Sequence, residues 1–268
     1  MIADISSGRR RLRVTGEDRA AFLHGQCTNE VLSVKPGDNC YAAFLNAKGK
    51  MRGEGHIICM PELFLMEVNE DLLSSLEKFV ITEDVTIQDV STELACYLIL
   101  AEAAATEEIP PNAVTFAHPM GTGVLSSMTL PVTLNAETLD AMRIEAGIPQ
   151  WGVDMDENTI PNEAGLESRA ISYTKGCYIG QETIARIKTY GHVNRYLIQL
   201  SLDISCLPER GEKVFSEDRE VGRVTSAARS NRLGKTLALG YVRREFAVKG
   251  IRLTIGQQTA EVLTICGR

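Results

Sequence analysis

No two cysteines in this chain are spaced to grip a metal or to cycle as a disulfide. The seven are Cys27, Cys40, Cys59, Cys96, Cys177, Cys206 and Cys266, an odd number with no C-x-x-C pair. That excludes a zinc ribbon and a thioredoxin-type motif. In a reducing compartment they are expected as free thiols. Histidine is scarce and scattered, at His24, His56, His118 and His192, so no metal site is expected. No apolar run is long enough to cross a bilayer, and no membrane contact is expected. The opening residues, Met1 to Gly8, lack the basic and hydrophobic sections of a signal peptide. The expected compartment is the cytoplasm. Excess positive charge is also missing. The net charge is −7, which argues against broad binding to nucleic acid but leaves room for a local basic patch.

What the chain does have is an ordinary globular composition, 44% hydrophobic and 24% charged over 268 residues. That length can bury a large core in two or three structural units. Arg9–Thr15 reads as a basic strand whose arginines face solvent or an anionic partner. Arg19–His24 reads as a short helix, Cys40–Leu45 as a strand, and Asn46–Gly49 as a hairpin connection. Strands follow at 51–60 and 63–68. Asn69 is the expected N-cap of a helix over 70–80, where Leu72, Leu73, Leu76, Phe79 and Val80 recur at helical spacing. Strands at 85–90 and 94–100 complete a β-β-α-β-β layer. Residues 101–134 are less patterned: a short helix over 101–108, a break at Pro110-Pro111, and a strand over 121–127. A further helix runs from about Asn135 and stops at Gly147. From Tyr196 onward, six short strands (197–202, 213–215, 220–226, 236–242, 251–255 and 260–265) point to a small barrel or sandwich.

The stretch Lys175-Gly-Cys-Tyr-Ile-Gly-Gln-Glu182 stands apart. Two glycines flank a cysteine, so the backbone can turn sharply there. The turn enters a helix beginning near Gly180. A lysine beside a cysteine favours the thiolate. On spacing alone, two readings remain open: a tight structural turn with an inert cysteine, or a reactive thiol. The basic residues Lys175, Arg186, Lys188 and Arg195 also suggest an anion site. Glu145 falls at a helix C-terminus, against the macrodipole. It is either a solvated carboxylate or one kept to hold a planar N–H edge through paired hydrogen bonds.

Lys175–Glu182 resembles the signature of the YgfZ family of folate-binding proteins. That family includes mitochondrial assembly factors for iron–sulfur proteins and is related to the T-protein of the glycine cleavage system, a tetrahydrofolate-dependent aminomethyltransferase. Val14–Asp18 with Phe22-Leu23, Gly25–Asn29, Phe44–Lys50, Arg143–Gly147, Pro161–Leu166 and Val221–Ser226 resemble further family blocks in the expected order. The resemblance implies an α+β, T-protein-like fold of three units around a central folate pocket, with a ferredoxin-like insert and a C-terminal β-barrel. The corresponding boundaries are 1–196 for the folate-binding domain, with the insert at about 47–130, and 197–268 for the barrel. Glu145 matches the glutamate that holds the pterin ring. Cys177 matches the family cysteine, where the T-protein has aspartate, and Lys175 is its expected activator. Tyr178, Gln181, Glu182 and Arg186 complete the implied folate-binding and functional surface.

The T-protein's Asp-Asp pair is replaced here by Gly53-Glu54. A catalytic group misplaced by about 1 Å loses of order a hundredfold in rate, so the chain is not expected to be a classical aminomethyltransferase. The resemblance implies a tetrahydrofolate-binding accessory protein for the assembly or repair of iron–sulfur proteins, including those of tRNA modification. The expected partners are folate, iron–sulfur client or assembly proteins and, indirectly, tRNA. Two alternatives stay open: a one-carbon transferase with Glu54 as acid/base, and a tRNA-binding scaffold using Arg9–Arg13 and the 186–195 cluster.

Overall fold

The structure is a computed structural model that describes residues 1–101 and 108–268. The helix expected over 101–108 lies almost wholly outside the described residues. No helix among them is long and apolar enough to cross a membrane. The chain divides into two compact units.

The first unit comprises residues 1–136 and 169–183. Its elements are β1 (Ile2–Asp4), β2 (Arg9–Thr15), α1 (Arg19–Gln26), β3 (Asn39–Leu45), β4 (Met51–Cys59), β5 (Phe64–Asn69), α2 (Leu72–Glu77), β6 (Thr86–Asp89), β7 (Ala95–Leu100), β8 (Val114–His118) and β9 (Gly121–Ser126). They form two antiparallel sheets, ordered β3-β4-β5-β2-β6 and β1-β7-β9-β8. The stretch 47–130 supplies strands to both, and strands from before residue 47 complete each sheet. The β-β-α-β-β run is therefore not one layer, because β6 and β7 lie in different sheets.

Side chains alternate across a strand, so one strand can serve two environments. On one face of the five-stranded sheet, Leu12, Val14, Phe44, Ile57, Met66 and Val68 pack against Phe22 and Leu23 of α1 and Leu72 and Leu76 of α2. The other face carries Arg9, Arg11, Tyr41, Glu54, His56 and Glu67, and it too is buried. Ile58 and Leu65 on that face pack against Cys96, Phe116 and Leu125 of the second sheet.

Asn69 is not the N-cap of α2. It is the last residue of β5, and its side-chain oxygen accepts the Glu54 backbone N–H at 2.9 Å. A Cβ on Gly53 would sit 2.0 Å from that oxygen, so only glycine leaves room for the bond. The helix starts two residues later behind Asp71 and is shorter than its apolar spacing suggests. Phe79 and Val80 fall outside it.

The second unit comprises residues 137–168 and 184–268. α3 (Ala136–Glu145) ends before Gly147, whose φ of 67° is the left-handed conformation expected of a helix stop. α4 (Glu167–Ala170) and α5 (Gln181–Tyr190) follow. Then come β10 (Arg195–Asp203), β11 (Lys213–Ser216), β12 (Arg219–Ser230), β13 (Lys235–Arg243), β14 (Arg252–Ile255) and β15 (Gln258–Ile265). These six strands close into an antiparallel barrel, ordered β10-β13-β12-β11-β14-β15. Closure leaves no open sheet edge. Ile198, Leu200, Val214, Val224, Ala238, Val242 and Val262 fill the barrel interior. The alternate residues Leu197, Leu237 and Leu239 pack outside it against Ile144 of α3. Buried Asp154 fastens its glycine-rich loop to this barrel: it accepts bonds from Ser226 Oγ at 2.7 Å, Thr225 Oγ1 and Arg143 Nη1 at 2.6 Å.

Candidate functional site

The stretch 175–182 folds as a loop that enters α5, as its glycines suggest. Gly180 has φ 85°, and a Cβ there would lie 2.6 Å from the Asn46 carbonyl oxygen. The loop is pinned to the end of α1, with the Ile179 N–H donating to the Gly25 carbonyl at 3.2 Å. Gly176 and Cys177 are exposed, while Lys175 and Tyr178 on either side are buried. Gln181 and Glu182 form the first turn of α5, and exposed Arg186 lies one turn further along.

Lys175 does not do what its position beside Cys177 suggests. Its ammonium donates to the carbonyls of His24 at 2.6 Å, Cys27 at 2.7 Å and Asn29 at 2.9 Å. An ammonium has three N–H donors, so all are taken. Burial lowers the Lys175 pKa, while the neighbouring Cys27, Glu30 and Cys40 oppose that shift. The thiols that feel this cation are thus Cys27 and Cys40, and burial pushes them up to about 11 and about 12. The physical reason is direction. The end of a helix offers unpaired carbonyls and negative dipole charge, which attract a buried cation more strongly than an exposed thiol does.

Glu145, in the other unit, stands among different groups. Its side chain is 16% exposed and takes Arg232 Nη2 at 2.7 Å. Burial raises the Glu145 pKa, but hydrogen bonds from Ser230 and Arg232, with the arginine's charge, outweigh it and leave the carboxyl below its usual range. Gln199 of β10 donates to the carbonyls of Ile144 at 2.7 Å and Glu145 at 2.9 Å, capping α3. Glu145 is therefore a positioned, ionised carboxylate rather than a freely solvated one.

The basic stretches are paired with acids and carbonyls of this chain. Arg9 bridges Glu54 and Glu67, and buried Arg11 donates to the carbonyls of Leu94, Ser6, Arg9 and Ser91. Arg10 pairs with Asp89, and Arg13 with Glu93. Further on, Lys188 pairs with Glu167 at 3.4 Å and Arg195 with Glu163 at 3.0 Å. The expectation that Arg9–Arg13 faces solvent or an anionic partner is corrected here for Arg9 and Arg11, which lie on the buried sheet face. Arg9 and Arg11 are enclosed by carboxylates and carbonyls, while Arg10 and Arg13, about a third exposed, pair at the surface with acids far along the chain. A cavity of about 210 Å³ in the second unit is lined by Glu167, Lys188, His192, Tyr196 and Arg268 among others, and Glu145 is not part of it.

The clamp on Glu54 bears on transfer chemistry. Its carboxylate is 4% exposed, is held by Arg9 and bonds the Tyr41 hydroxyl. Beside it lie His56 and His118, ring centres 5.8 Å apart. Burial lowers His56 well below the usual imidazole value and His118 to about 4. A carboxylate whose oxygens already serve a guanidinium and a hydroxyl has little capacity left to contact a substrate. The sequence reading named Glu54 but missed Arg9, Tyr41, His56, Glu67 and His118 as one cluster. The available signal was polar residues at every second position of otherwise apolar strands, as in Glu54/His56 and Glu67/Asn69.

Known proteins are similar to this chain in sequence and in fold. Residues 195–264 match the glycine cleavage T-protein C-terminal barrel domain. A putative chloroplastic transferase of Arabidopsis thaliana is 26% identical, over 95% of this chain and 68% of its own length. A tRNA-modifying protein YgfZ of Yersinia pestis is 29% identical, over 81% of this chain and 77% of its own. The structure of aminomethyltransferase T from Bartonella henselae superposes with a TM-score of 0.82 at 18% identity, covering 99% of this chain and 85% of that one. The chain thus has a T-protein-like fold with a closed C-terminal barrel, and over most of its length it is similar to YgfZ proteins, themselves similar in this way to the glycine cleavage T-protein.

Proposed function

We propose that this protein binds a tetrahydrofolate and serves as an accessory factor in the assembly or repair of iron–sulfur proteins, including those that modify tRNA. The observation that carries the proposal is the placement of Glu145. It is an ionised, largely buried carboxylate at a capped helix end, and its charged hydrogen-bond partner, Arg232, has a side chain 73% exposed. A carboxylate held in that way fits the donor edge of a pterin, which presents paired N–H groups. Cys177, exposed on its pinned loop with Gln181, Glu182 and Arg186 following, supplies the surface for the partner or the thiol chemistry. Binding of tetrahydrofolate to the wild type and Glu145→Ala, measured by calorimetry, tests the anchor. The variant is expected to lose roughly tenfold or more, the scale of a charge-assisted hydrogen-bond pair. Equal affinity would remove Glu145 from the site. Cys177→Ser is expected not to complement a strain lacking the protein.

The transferase alternative draws less support, because Glu54 is clamped by Arg9. Formation of methylene-tetrahydrofolate from an aminomethyl donor at enzymatic rates would reverse that preference.

A further inference from the structure

We propose that Lys175 is a positioning residue. Its ammonium sits among three backbone carbonyls as a tethered cation and holds the Cys177 loop to the end of α1. The cage it vacates on truncation accepts a small alkylammonium ion. This rests on the reading of Cys177 as the functional thiol, but its geometry stands apart from that reading.

The last turn of α1 and the residues after it leave carbonyls that no helical N–H reaches. Three of them, from His24, Cys27 and Asn29, converge on one point and meet the three donors of one ammonium at 2.6–2.9 Å. The Tyr178 ring covers the cation, with its centre 5.0 Å away, an attraction between a cation and an aromatic face. The Ile179 N–H holds Gly25 between these carbonyls. Cys177 is thus presented to solvent between two fixed points, Lys175 and Tyr178. Arginine is no substitute, because a planar fork does not fit a three-carbonyl cage built for a compact ammonium.

Amide hydrogen exchange of the full chain tests this. Lys175→Ala, which empties the cage, is expected to raise exchange at residues 25–29 and 176–180 roughly tenfold or more, as loss of charged hydrogen bonds implies, with β10 and β13 unchanged. Methylammonium, which has three N–H donors, is expected to restore protection. Tetramethylammonium, with the same charge and no donors, is not. Should Lys175→Ala fail to fold, Lys175→Gln keeps two donors on a side chain one atom shorter, and it is expected to lie between wild type and full loss. Unchanged exchange at both segments, an equal rise throughout the barrel, or equal restoration by tetramethylammonium would each overturn the assignment. Cys177→Ser keeps the cage and is expected to exchange like wild type. If that variant complements a knockout, the functional reading of Cys177 fails while the exchange result stands.

Discussion

A single side chain in this protein is best understood through what surrounds its charge. Arg9 lies between Glu54 and Glu67 on a buried sheet face. Removing one partner of such a cluster leaves uncompensated buried charge, a loss of about 3–5 kcal/mol. Arg9→Met is therefore expected to lower the urea midpoint sharply, and a near-wild-type midpoint would show that Glu54 and Glu67 do not depend on it. His118 offers a second test at this scale. Its pKa falls from the ordinary imidazole value of 6.5 to about 4 on folding, chiefly through burial. Between those values the unfolded chain binds the proton and the folded chain does not. Stability from this group is thus present above pH 6.5 and lost as the pH falls toward 4, with a slope of up to about 1.4 kcal/mol per pH unit. His118→Gln is expected to flatten the decline in stability between pH 6.5 and 4.5 relative to wild type. Parallel declines in the two proteins would exclude the imidazole as a cause.

At the level of elements, two helices end on caps supplied from far along the chain. Lys175 caps α1 and Gln199 caps α3. Neither was legible in the sequence, because local cap rules look only a few residues past a helix end. The helices themselves were largely legible. Gly147 marked the end of α3, and Gly180 the start of α5, through conformations that favour glycine. α2 was misread at both ends because Asn69 bonds to Glu54 across the sheet instead of turning back on its own helix. Gln199→Leu is expected to lower stability by about 1–3 kcal/mol, the scale of buried acceptors left unpaired. It also withdraws the support beneath Glu145. Thermal unfolding measures the first effect, and an unchanged midpoint would mean that the carbonyls find other donors.

Across the whole molecule, charge decides what kind of partner is open to it. The net charge is −7, and the arginines of 9–13 are already paired within the chain, Arg9 and Arg11 in its interior and Arg10 and Arg13 with acids at its surface. Direct tRNA binding is therefore expected to be weak. Affinity measured at two salt concentrations is expected to show a shallow slope, because few phosphates would be neutralised. Tight binding with a steep salt slope would restore the scaffold reading. Family resemblance, β-rich tail and the exceptional loop were all evident from residue order. Six strands at short spacing announced a small barrel or sandwich, since each must alternate between interior and surface, and the pairing of β10 with β15 closes it as a barrel. What the one-dimensional pattern determined was the set of elements and the residue types worth attention, because propensity, turns and periodicity are local. Only the tertiary structure decided which charges meet. It turned Arg9 toward Glu54, gave the Lys175 ammonium to three carbonyls rather than to Cys177, and set Arg232 against Glu145. Those pairings join residues as many as 151 positions apart. A buried charge takes whatever compensating groups the fold brings within reach, and sequence neighbourhood has no part in that choice.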